Sequence, residues 1–356
     1  MDAMELAGRS VLVTGGCGLV GRALTRALVA EGCDVRVFDR CAPPPDARAT
    51  ALPAGIALQI GDLRDEAALA RALDGVELVF HQAALTPADA PSADFLDVNA
   101  TGTARLFEII ARRKLPVRRV VVASSLGVYG EGKYRCASCG IRVPRLRSPE
   151  QLRRHDWEPR CTRCDRSLEA LATDEATPAT PVTPYAIAKL AGERLALALG
   201  ERGEVPTVAL RYAVVYGPGQ SLTNPYSGVI AAFAKLILRG EAPALFEDGK
   251  QRRDWIFVDD VVRANLFAMR DARTDFEAWN VGSGVGCTVT ELAERLARAL
   301  GSTVAPRVSG AFRVGDYRHL VLETSRLTQL GFVPQISLDA GLERFARWLV
   351  AQGEQP

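Results

Sequence analysis

Segments of strand length alternate with segments of helix length through residues 10–123, and this alternation predicts an α/β fold with a doubly wound parallel sheet. Two further observations complete the prediction. A glycine-rich turn joins the first strand to the first helix, as in Rossmann-type domains. A polar segment with two CxxC pairs then interrupts the pattern, which indicates an inserted zinc ribbon, and a smaller C-terminal domain comes after it.

The elements follow one another in a regular order. Apolar runs predict strands at "SVLVTGG", "DVRVFD", "ALQIGD", "VELVFHQAA" and "VRRVVVASS". Amphipathic runs predict helices at "GRALTRALVAEG", which Gly32 ends, at "DEAALARALDG" and at "NATGTARLFEIIARRK". Strands that are separated by helices favour a parallel sheet with both faces covered.

The pattern breaks at Gly130 and resumes near Thr183 with the helix start "TPYAIAKLAGERL". It continues through the strand "TVALRYAVVYG", a loop rich in Pro, Gly and Asn, a helix near 227–239, and the late helices "TVTELAERLARALG" and "SLDAGLERFARWLV". We predict a nucleotide-binding domain formed by 1–130, 177–215 and 254–285. Residues 131–176 form an inserted segment, and 216–253 and 286–356 form a second domain.

Composition limits the function classes. The chain has 356 residues, 48% of them apolar, and a net charge of +2, so we expect a globular protein with an ample core and no electrostatic case for nucleic acid or a membrane surface. The first residues lack the pattern of a signal peptide, and no stretch is long and apolar enough to span a bilayer, which favours a cytoplasmic location. Four scattered cysteines are interpreted as small core residues or free thiols: Cys17, Cys33, Cys41 and Cys287.

The turn "TGGCGLVG" predicts a nucleotide site. Gly15, Gly18 and Gly21 let the backbone approach a pyrophosphate, and the next helix directs its N-terminus at the negative charge. Asp39 ends the next strand, where a carboxylate accepts hydrogen bonds from the adenosine ribose, so NAD is favoured over NADP; Arg40 beside it weakens that preference. Asp62 ends the third strand in "GDLRD". We expect it either to contact the nucleotide or to cap the N-terminus of the following helix.

Nine motifs stand in the order found in the extended short-chain dehydrogenase/reductase family, and the chain resembles its NAD-dependent nucleotide-sugar epimerases and dehydratases. The resemblance covers the chain outside 131–176. The motifs are "TGGCGLVG", "GDL", "HQAA", "VNATGT", "SSLGVYG", "YAIAK", "LRYAVVYGPGQ", "RRDWIFVDD" and "RVGD". Further stretches and the cysteine-bearing insertion look similar to bacterial dTDP-L-rhamnose 4-epimerases.

The resemblance implies a catalytic set of Ser125, Tyr185 and Lys189. Tyr185 would exchange a proton with a sugar hydroxyl that Ser125 holds in line. An unperturbed tyrosine titrates near pH ~10, so the charge of Lys189, one helical turn away, is expected to lower the pKa of Tyr185.

The resemblance also implies which residues contact the cofactor and the substrate. For NAD they are Gly15, Gly18, Leu19, Val20, Gly21, Asp39, Arg40, Asp62, Leu63, Gln82, Ala83, Ala84, Asn99, Ser124, Tyr185, Lys189, Tyr212 and Val215. For the nucleotide sugar they are Thr86, Ser125, Asn224, Leu245, Phe246, Arg253, Arg313 and Asp316, of which Arg253 and Arg313 match diphosphate-binding arginines.

The residues after Ser125 favour one reaction. Family 4,6-dehydratases carry acidic residues there, whereas Leu126 and Gly127 cannot transfer protons. We expect a 4-epimerase with tightly bound NAD, acting on a dTDP-6-deoxyhexose such as dTDP-L-rhamnose or on a UDP-hexose. Val214 stands where the family often has Asn, and "LTPADAPSADFLDV" lacks the usual Val-Gly-x-Ser pattern, so the sugar stays open. A dehydrogenase, reductase or dehydratase and a non-catalytic NAD-binding scaffold are the alternatives.

The inserted segment predicts a structural metal site. Cys136, Cys139, Cys161 and Cys164 form two CxxC pairs with 21 residues between them, a spacing near that of zinc ribbons. Four thiolates close the coordination sphere, so we expect zinc to have no catalytic role and His155 to be a surface residue. The ribbon either staples a long loop or forms a lid or a partner surface, and a nucleic-acid role is disfavoured. The family also implies a homodimer through the helices that begin near Asn99 and Tyr185.

Overall fold

A seven-stranded parallel sheet dominates the computed structural model, which describes residues 4–42, 51–86, 90–222 and 228–353. Its strands are β1 (Ser10–Thr14), β2 (Asp34–Asp39), β3 (Ala57–Ile60), β4 (Leu78–His81), β5 (Arg119–Ser125), β9 (Thr207–Tyr212) and β13 (Ala278–Val281). Their order across the sheet is β13-β9-β5-β4-β1-β2-β3. From β1 the chain adds β2 and β3 on one side of the sheet and then β4, β5, β9 and β13 on the other side. In such sheets, ligands bind outside the carboxyl ends of the strands at the point where the strand order changes direction.

Helices cover both faces of this sheet. The helices of the whole chain are α1 (Leu19–Ala30), α2 (Glu66–Ala72), α3 (Ser92–Leu96), α4 (Gly102–Arg113), α5 (Pro149–Arg153), α6 (Pro184–Arg202), α7 (Val229–Leu238), α8 (Val258–Arg270), α9 (Val289–Ala299), α10 (Ser325–Gln329) and α11 (Leu338–Ala351). Val11 and Val13 of β1 belong to the core under α1 and α8, and Leu12 belongs to the core under α2 and α4. The predicted doubly wound α/β fold is confirmed.

One predicted strand is wrong. The run "TVALRYAVVYG" forms two strands, β9 and β10 (Val214–Tyr216), which belong to different sheets. The break falls at Ala213, whose backbone N–H donates to the Val281 carbonyl at 2.8 Å. The apolar run continues from the buried strand β9 through Ala213 into the partly buried strand β10, so the pattern alone does not mark the bend.

The C-terminal part of the chain builds a second, smaller sheet. Strand β12 (Arg252–Phe257) pairs with β10, with β14 (Gly286–Thr288) and with β16 (His319–Leu320), and β11 (Ala244–Leu245) pairs with β15 (Arg307–Val308). Helix α9 packs against α7 and α11 beside this sheet. The division of the chain into domains stays a prediction.

The inserted segment forms its own three-stranded antiparallel sheet. Strands β6 (Tyr134–Cys136), β7 (Gly140–Arg142) and β8 (Glu169–Ala170) are ordered β7-β6-β8. A small core of Tyr134, Cys136, Cys161 and Leu168 fills it. Among the described residues, no helix combines the length and the apolar character needed to cross a membrane.

Candidate active site

Two glycines of the glycine-rich turn leave no room for a side chain. Gly15 has a φ of +68°, and a Cβ there would lie 2.6 Å from the Ala83 backbone. A Cβ on Gly21 would lie 2.1 Å from the Gly15 carbonyl oxygen. Gly18 is exposed just before α1, and an added Cβ would meet protein only at 3.3 Å. Gly15 and Gly21 are thus required by the turn itself, whereas Gly18 faces outward, where a ligand would approach.

Asp39 lies beside this turn at the carboxyl end of β2. Its Oδ2 accepts a hydrogen bond from the Cys17 N–H at 2.8 Å and its Oδ1 accepts one from the Cys41 N–H at 3.2 Å. The carboxylate is half-buried, and neighbouring Arg40 is exposed. These bonds fix a carboxylate at the edge of the glycine turn, as an adenosine ribose requires.

Asp62 does not cap a helix. The N-cap of α2 is Asp65, whose side chain accepts from the Ala68 N–H at 3.0 Å. The Asp62 carboxylate instead accepts hydrogen bonds from the backbone and guanidinium nitrogens of Arg64 at 2.8–3.0 Å. The side-chain hydrogen bond from Arg64 lowers the pKa of Asp62. Leu63 is buried, and a Cβ on Gly102 would lie 2.9 Å from it.

Asn99 holds the loop after β4. It lies in a π-helical turn, Asp97–Thr101, a feature that is frequent at functional sites. Its side-chain amide accepts from the Leu85 N–H at 2.7 Å and donates to the Leu85 carbonyl at 2.9 Å. Ala83, Ala84 and Leu85 are half-buried along this loop, and Thr86 is exposed at its end. Asn99 therefore shapes the cleft through the backbone.

Gln82 and Tyr212 meet in a polar network on the other side of β4. The Tyr212 hydroxyl donates to Gln82 Oε1 at 3.1 Å, and Gln82 Nε2 donates to Asn265 Oδ1 at 3.0 Å. Asn265 is fully buried on α8 and also donates to the Tyr212 hydroxyl at 2.8 Å. Gln82 and Tyr212, which were each predicted to contact the cofactor, are thus held together by Asn265, which the sequence analysis did not single out.

Ser125, Tyr185 and Lys189 come together where β5 ends and α6 begins. Thr183 caps α6, its side chain accepting from the Ala186 N–H, which sets Tyr185 in the first turn. The Ser125 hydroxyl accepts from the Gly127 N–H at 3.1 Å and lies close enough to Tyr185 to lower its pKa. Ser125 and Tyr185 are half-buried, so part of each residue is accessible to a ligand.

The electrostatics of this trio differ from the expectation. Burial raises the pKa of Tyr185 to about 12, against the lowering effect of the Ser125 hydrogen bond. Burial lowers the pKa of Lys189 to about 8. Lys189 Nζ donates to the Ala123 carbonyl at 2.5 Å. The net shift at Tyr185 is thus opposite to the expected lowering by Lys189, because desolvation of the phenolate dominates.

Ser124 faces away from the cleft. Its hydroxyl donates to Glu193 Oε2 at 2.6 Å. Glu193 also accepts two bonds from Arg211, at 2.6 and 2.9 Å, and Arg211 donates to the Tyr129 hydroxyl at 2.7 Å. All four residues are buried. The assignment of Ser124 to the cofactor stays a prediction, since this hydroxyl serves the packing of α6 on β5.

The candidate substrate residues form two pairs. Arg253 donates to Asp316 Oδ1 at 3.2 Å and to the Tyr317 carbonyl at 2.7 Å, and its guanidinium lies 4.3 Å from the Tyr317 ring centre. Arg313 is exposed and stacks over Phe246 at 4.9 Å. Leu245 is buried, Val215 is half-buried, and Asn224 lies outside the described residues. Sequence reasoning missed Tyr317, which contacts Arg253 through both its ring and its carbonyl oxygen.

The four predicted metal ligands converge. The Sγ atoms of Cys136, Cys139, Cys161 and Cys164 all lie within 4.8 Å of one another, and those of Cys136 and Cys164 are 3.5 Å apart. Thiolates around tetrahedral zinc are about 3.8 Å apart, given Zn–S bonds of about 2.3 Å. The N–H of Ser138 lowers the pKa of Cys136, and that of Arg163 lowers the pKa of Cys161 to about 6. The donor set and spacing therefore fit a closed zinc site.

Comparison with known proteins gives a consistent result. Residues 11–146 and 165–282 match the NAD dependent epimerase/dehydratase family. The chain is 32% identical to the dTDP-L-rhamnose 4-epimerase of Burkholderia thailandensis over 99% of this chain and 98% of that one.

Two solved structures are similar over nearly the whole chain. The UDP-glucose 4-epimerase of Thermotoga maritima with UDP-glucose has a TM-score of 0.79 and 29% identity, covering 96% of this chain and 99% of that one. The dTDP-glucose 4,6-dehydratase of Streptomyces venezuelae with NAD bound has a TM-score of 0.76 and 26% identity, covering 96% and 97%. The resemblance predicted from motifs is confirmed.

Proposed function

The chain belongs to the NAD dependent epimerase/dehydratase family, and from that premise we propose that it is a nucleotide-sugar 4-epimerase. One observation carries the proposal: Ser125 at the carboxyl end of β5 lies close enough to Tyr185 in the first turn of α6 to lower its pKa, and Lys189 lies one turn further along α6. The glycine turn and Asp39 lie at the carboxyl ends of β1 and β2 in the same sheet.

NAD fits the residues present. Gly18 is exposed at the N-terminus of α1, and Asp39 offers a fixed carboxylate for the ribose. When bound, NAD would take a hydride from C4 of the sugar and return it to the opposite face. The glycines of the turn, Asp39, the 83–85 loop and Lys189 are the groups proposed to hold it, and bound cofactor is not consumed in such a cycle.

Tyr185 is the proposed proton carrier. It would accept the proton of the C4 hydroxyl and later donate it back, while Ser125 orients that hydroxyl. Since burial raises the pKa of Tyr185 to about 12, the phenol alone holds its proton near neutral pH. Positive charge near the phenolate would favour ionisation, and Lys189 is the proposed source within this chain.

The two residues after Ser125 support one reaction type. Leu126 is buried in a 3₁₀ turn, Leu126–Tyr129, and neither it nor Gly127 can serve as the additional acid that a dehydratase uses. Their chemistry therefore favours epimerisation. The similarity to a 4,6-dehydratase keeps elimination as the second candidate.

The nucleotide sugar is proposed to be a dTDP-6-deoxyhexose, because the similarity to a dTDP-L-rhamnose 4-epimerase spans nearly the whole of both chains. Zinc is proposed as a structural ion on the four cysteines, whose thiols require a reducing compartment such as the cytoplasm. A homodimer through α4 and α6 is supported by the exposed apolar side chains of Ile187 and Leu195 on α6.

The decisive experiment incubates the purified protein with dTDP-, UDP- and GDP-sugars and separates the products. We expect a C4 epimer without added cofactor, and NAD released on denaturation. Tyr185→Phe should abolish turnover and keep the NAD content. A 4-keto-6-deoxy product would establish the dehydratase instead, and stoichiometric consumption of added NAD(H) would establish a dehydrogenase or reductase. Full activity of Tyr185→Phe would refute the proton carrier.

A further inference from the structure

Two arginines of the chain are buried far more deeply than their sequence context predicts. Arg147 lies in the basic run "RLRSPEQLRR" of the insertion, and Arg318 lies in "RVGDYRHL"; each side chain is 1% exposed. Buried arginines need acidic partners because an unpaired buried charge is costly. Both find one in Glu247, whose Oε2 accepts from Arg147 at 2.8 Å and from Arg318 at 2.9 Å.

The cluster joins the insertion to the second domain. Arg318 also binds Glu158 of the insertion at 2.7 and 3.0 Å and Asp248 at 2.7 and 3.0 Å. Burial opposes ionisation of Glu158, but bonds from His319 and Arg318 lower its pKa to about 2. Glu158 is therefore an anion at neutral pH and clamps Arg318 from the side of the insertion.

The clamped segment is the one that carries the candidate substrate residues. Arg253 binds the Tyr317 and Arg318 carbonyls at 2.7 and 3.0 Å from one side. From the other side, Arg147 donates to the Asp316 carbonyl at 3.1 Å, and Glu131 accepts from the Arg318 N–H at 2.7 Å. Arg147 and Glu131 both come from the predicted insertion, which therefore supplies two of these four contacts to the backbone of the segment.

Glu247 connects the cluster to Phe246 as well. It has a φ of +52°, a left-handed conformation that is unfavourable for a residue other than glycine. Its carboxylate is buried between the two arginines, and its N–H donates to the Ala311 carbonyl at 2.7 Å. The ion pairs offset this strain and hold the turn that presents Phe246 to Arg313.

We propose that Arg147 and Glu158 are positioning residues, through which the inserted segment holds Asp316, Tyr317 and Phe246 in the geometry that binds the nucleoside diphosphate part of the substrate. This inference rests on the proposed function. The insertion is then a part of the substrate site, and the cysteine cluster, whose two pairs flank Arg147 and Glu158 in sequence, stabilises the segment that makes these contacts.

The test compares Arg147→Met with Arg145→Met, an exposed arginine two residues earlier in the same run. dTDP and UDP binding is measured by calorimetry on the full-length protein, together with NAD content, melting temperature, KM and kcat. Arg147→Met should weaken the Kd of the preferred nucleotide and raise KM about tenfold, with kcat and NAD content within twofold. Arg145→Met should match the wild type, and Arg147→Lys should recover part of the affinity. Glu158→Gln, at a partly exposed site, should weaken binding in the same direction.

The outcomes separate this inference from the proposed function. If the wild type binds neither nucleotide, the proposed function fails. If the wild type binds one and Arg147→Met binds it equally, the positioning role is wrong. If Arg147→Met and Glu158→Gln both lose NAD and melt early, the cluster only stabilises the fold, and the inference is likewise overturned.

Discussion

Removing the Glu193 carboxylate should destabilise the protein strongly and disturb the catalytic trio. Glu193 is 1% exposed on α6 and is the acceptor for two bonds from Arg211 and one from Ser124. Glu193→Ala leaves the guanidinium of Arg211 buried with the Tyr129 hydroxyl as its remaining side-chain acceptor among the described residues. Breaking one partner of a buried ion pair costs about 3–5 kcal/mol. At about 2 °C per kcal/mol for a chain of this size, the melting temperature should fall by about 6–10 °C.

The assay is urea and thermal unfolding of Glu193→Ala, of the double variant with Arg211→Met, and of Glu201→Ala. Glu201 is exposed on the same helix, so its loss should change stability by less than about 0.5 kcal/mol. The double variant removes the stranded charge and should recover most of the loss. If Glu193→Ala costs less than about 1 kcal/mol, or if the double variant is no more stable than the single one, the reasoning about the buried pair is refuted.

Three further changes test other parts of the structure. Burial raises the pKa of Glu131 to about 7, so its contribution to stability is present below about pH 4.5 and is lost as pH rises through 7. In urea unfolding, Glu131→Gln should be as stable as the wild type at pH 4.5 and more stable than the wild type at pH 8. Equal stability of the two proteins at pH 8 would contradict this. Cys161→Ser should release the bound metal in elemental analysis and speed proteolysis of the insertion; a wild type without metal would remove the zinc proposal. Gly18→Ala should weaken NAD retention and lower the melting temperature less than Gly21→Ala does. An added Cβ would lie 3.3 Å from the Gly15 carbonyl oxygen at position 18 and 2.1 Å from it at position 21. Equal losses of stability in the two variants would count against an outward-facing Gly18.

Local patterns predicted the parts of the site that local chemistry builds. The glycine turn, Asp39 at a strand end, and the spacing of Tyr185 and Lys189 follow from residues that are near one another in sequence. The structure brings Ser125 to Tyr185 as the motifs imply. The four cysteines converge as their spacing predicted. Two CxxC pairs that are separated by a short segment can meet around one metal ion when that segment folds back on itself.

Long-range contacts decided the rest. The pKa of Tyr185 depends on how deeply α6 packs against β5, because burial raises it, and no sequence motif specifies that depth. Arg147 lies in a run rich in arginine, and nothing in that run indicates that its partner is Glu247, 100 residues away in sequence.

The sequence by itself determined the order of strands and helices, the nucleotide-binding turn and the residue types of the proposed catalytic and metal sites. These depend on periodicity, backbone sterics at glycine and side-chain chemistry, all of which are local. Only the tertiary structure decided that Asp65 rather than Asp62 caps α2, that the chain bends at Ala213, and that the insertion is clamped to the segment of Asp316. Burial and ion pairing depend on which distant segments meet, and that is a property of the folded chain.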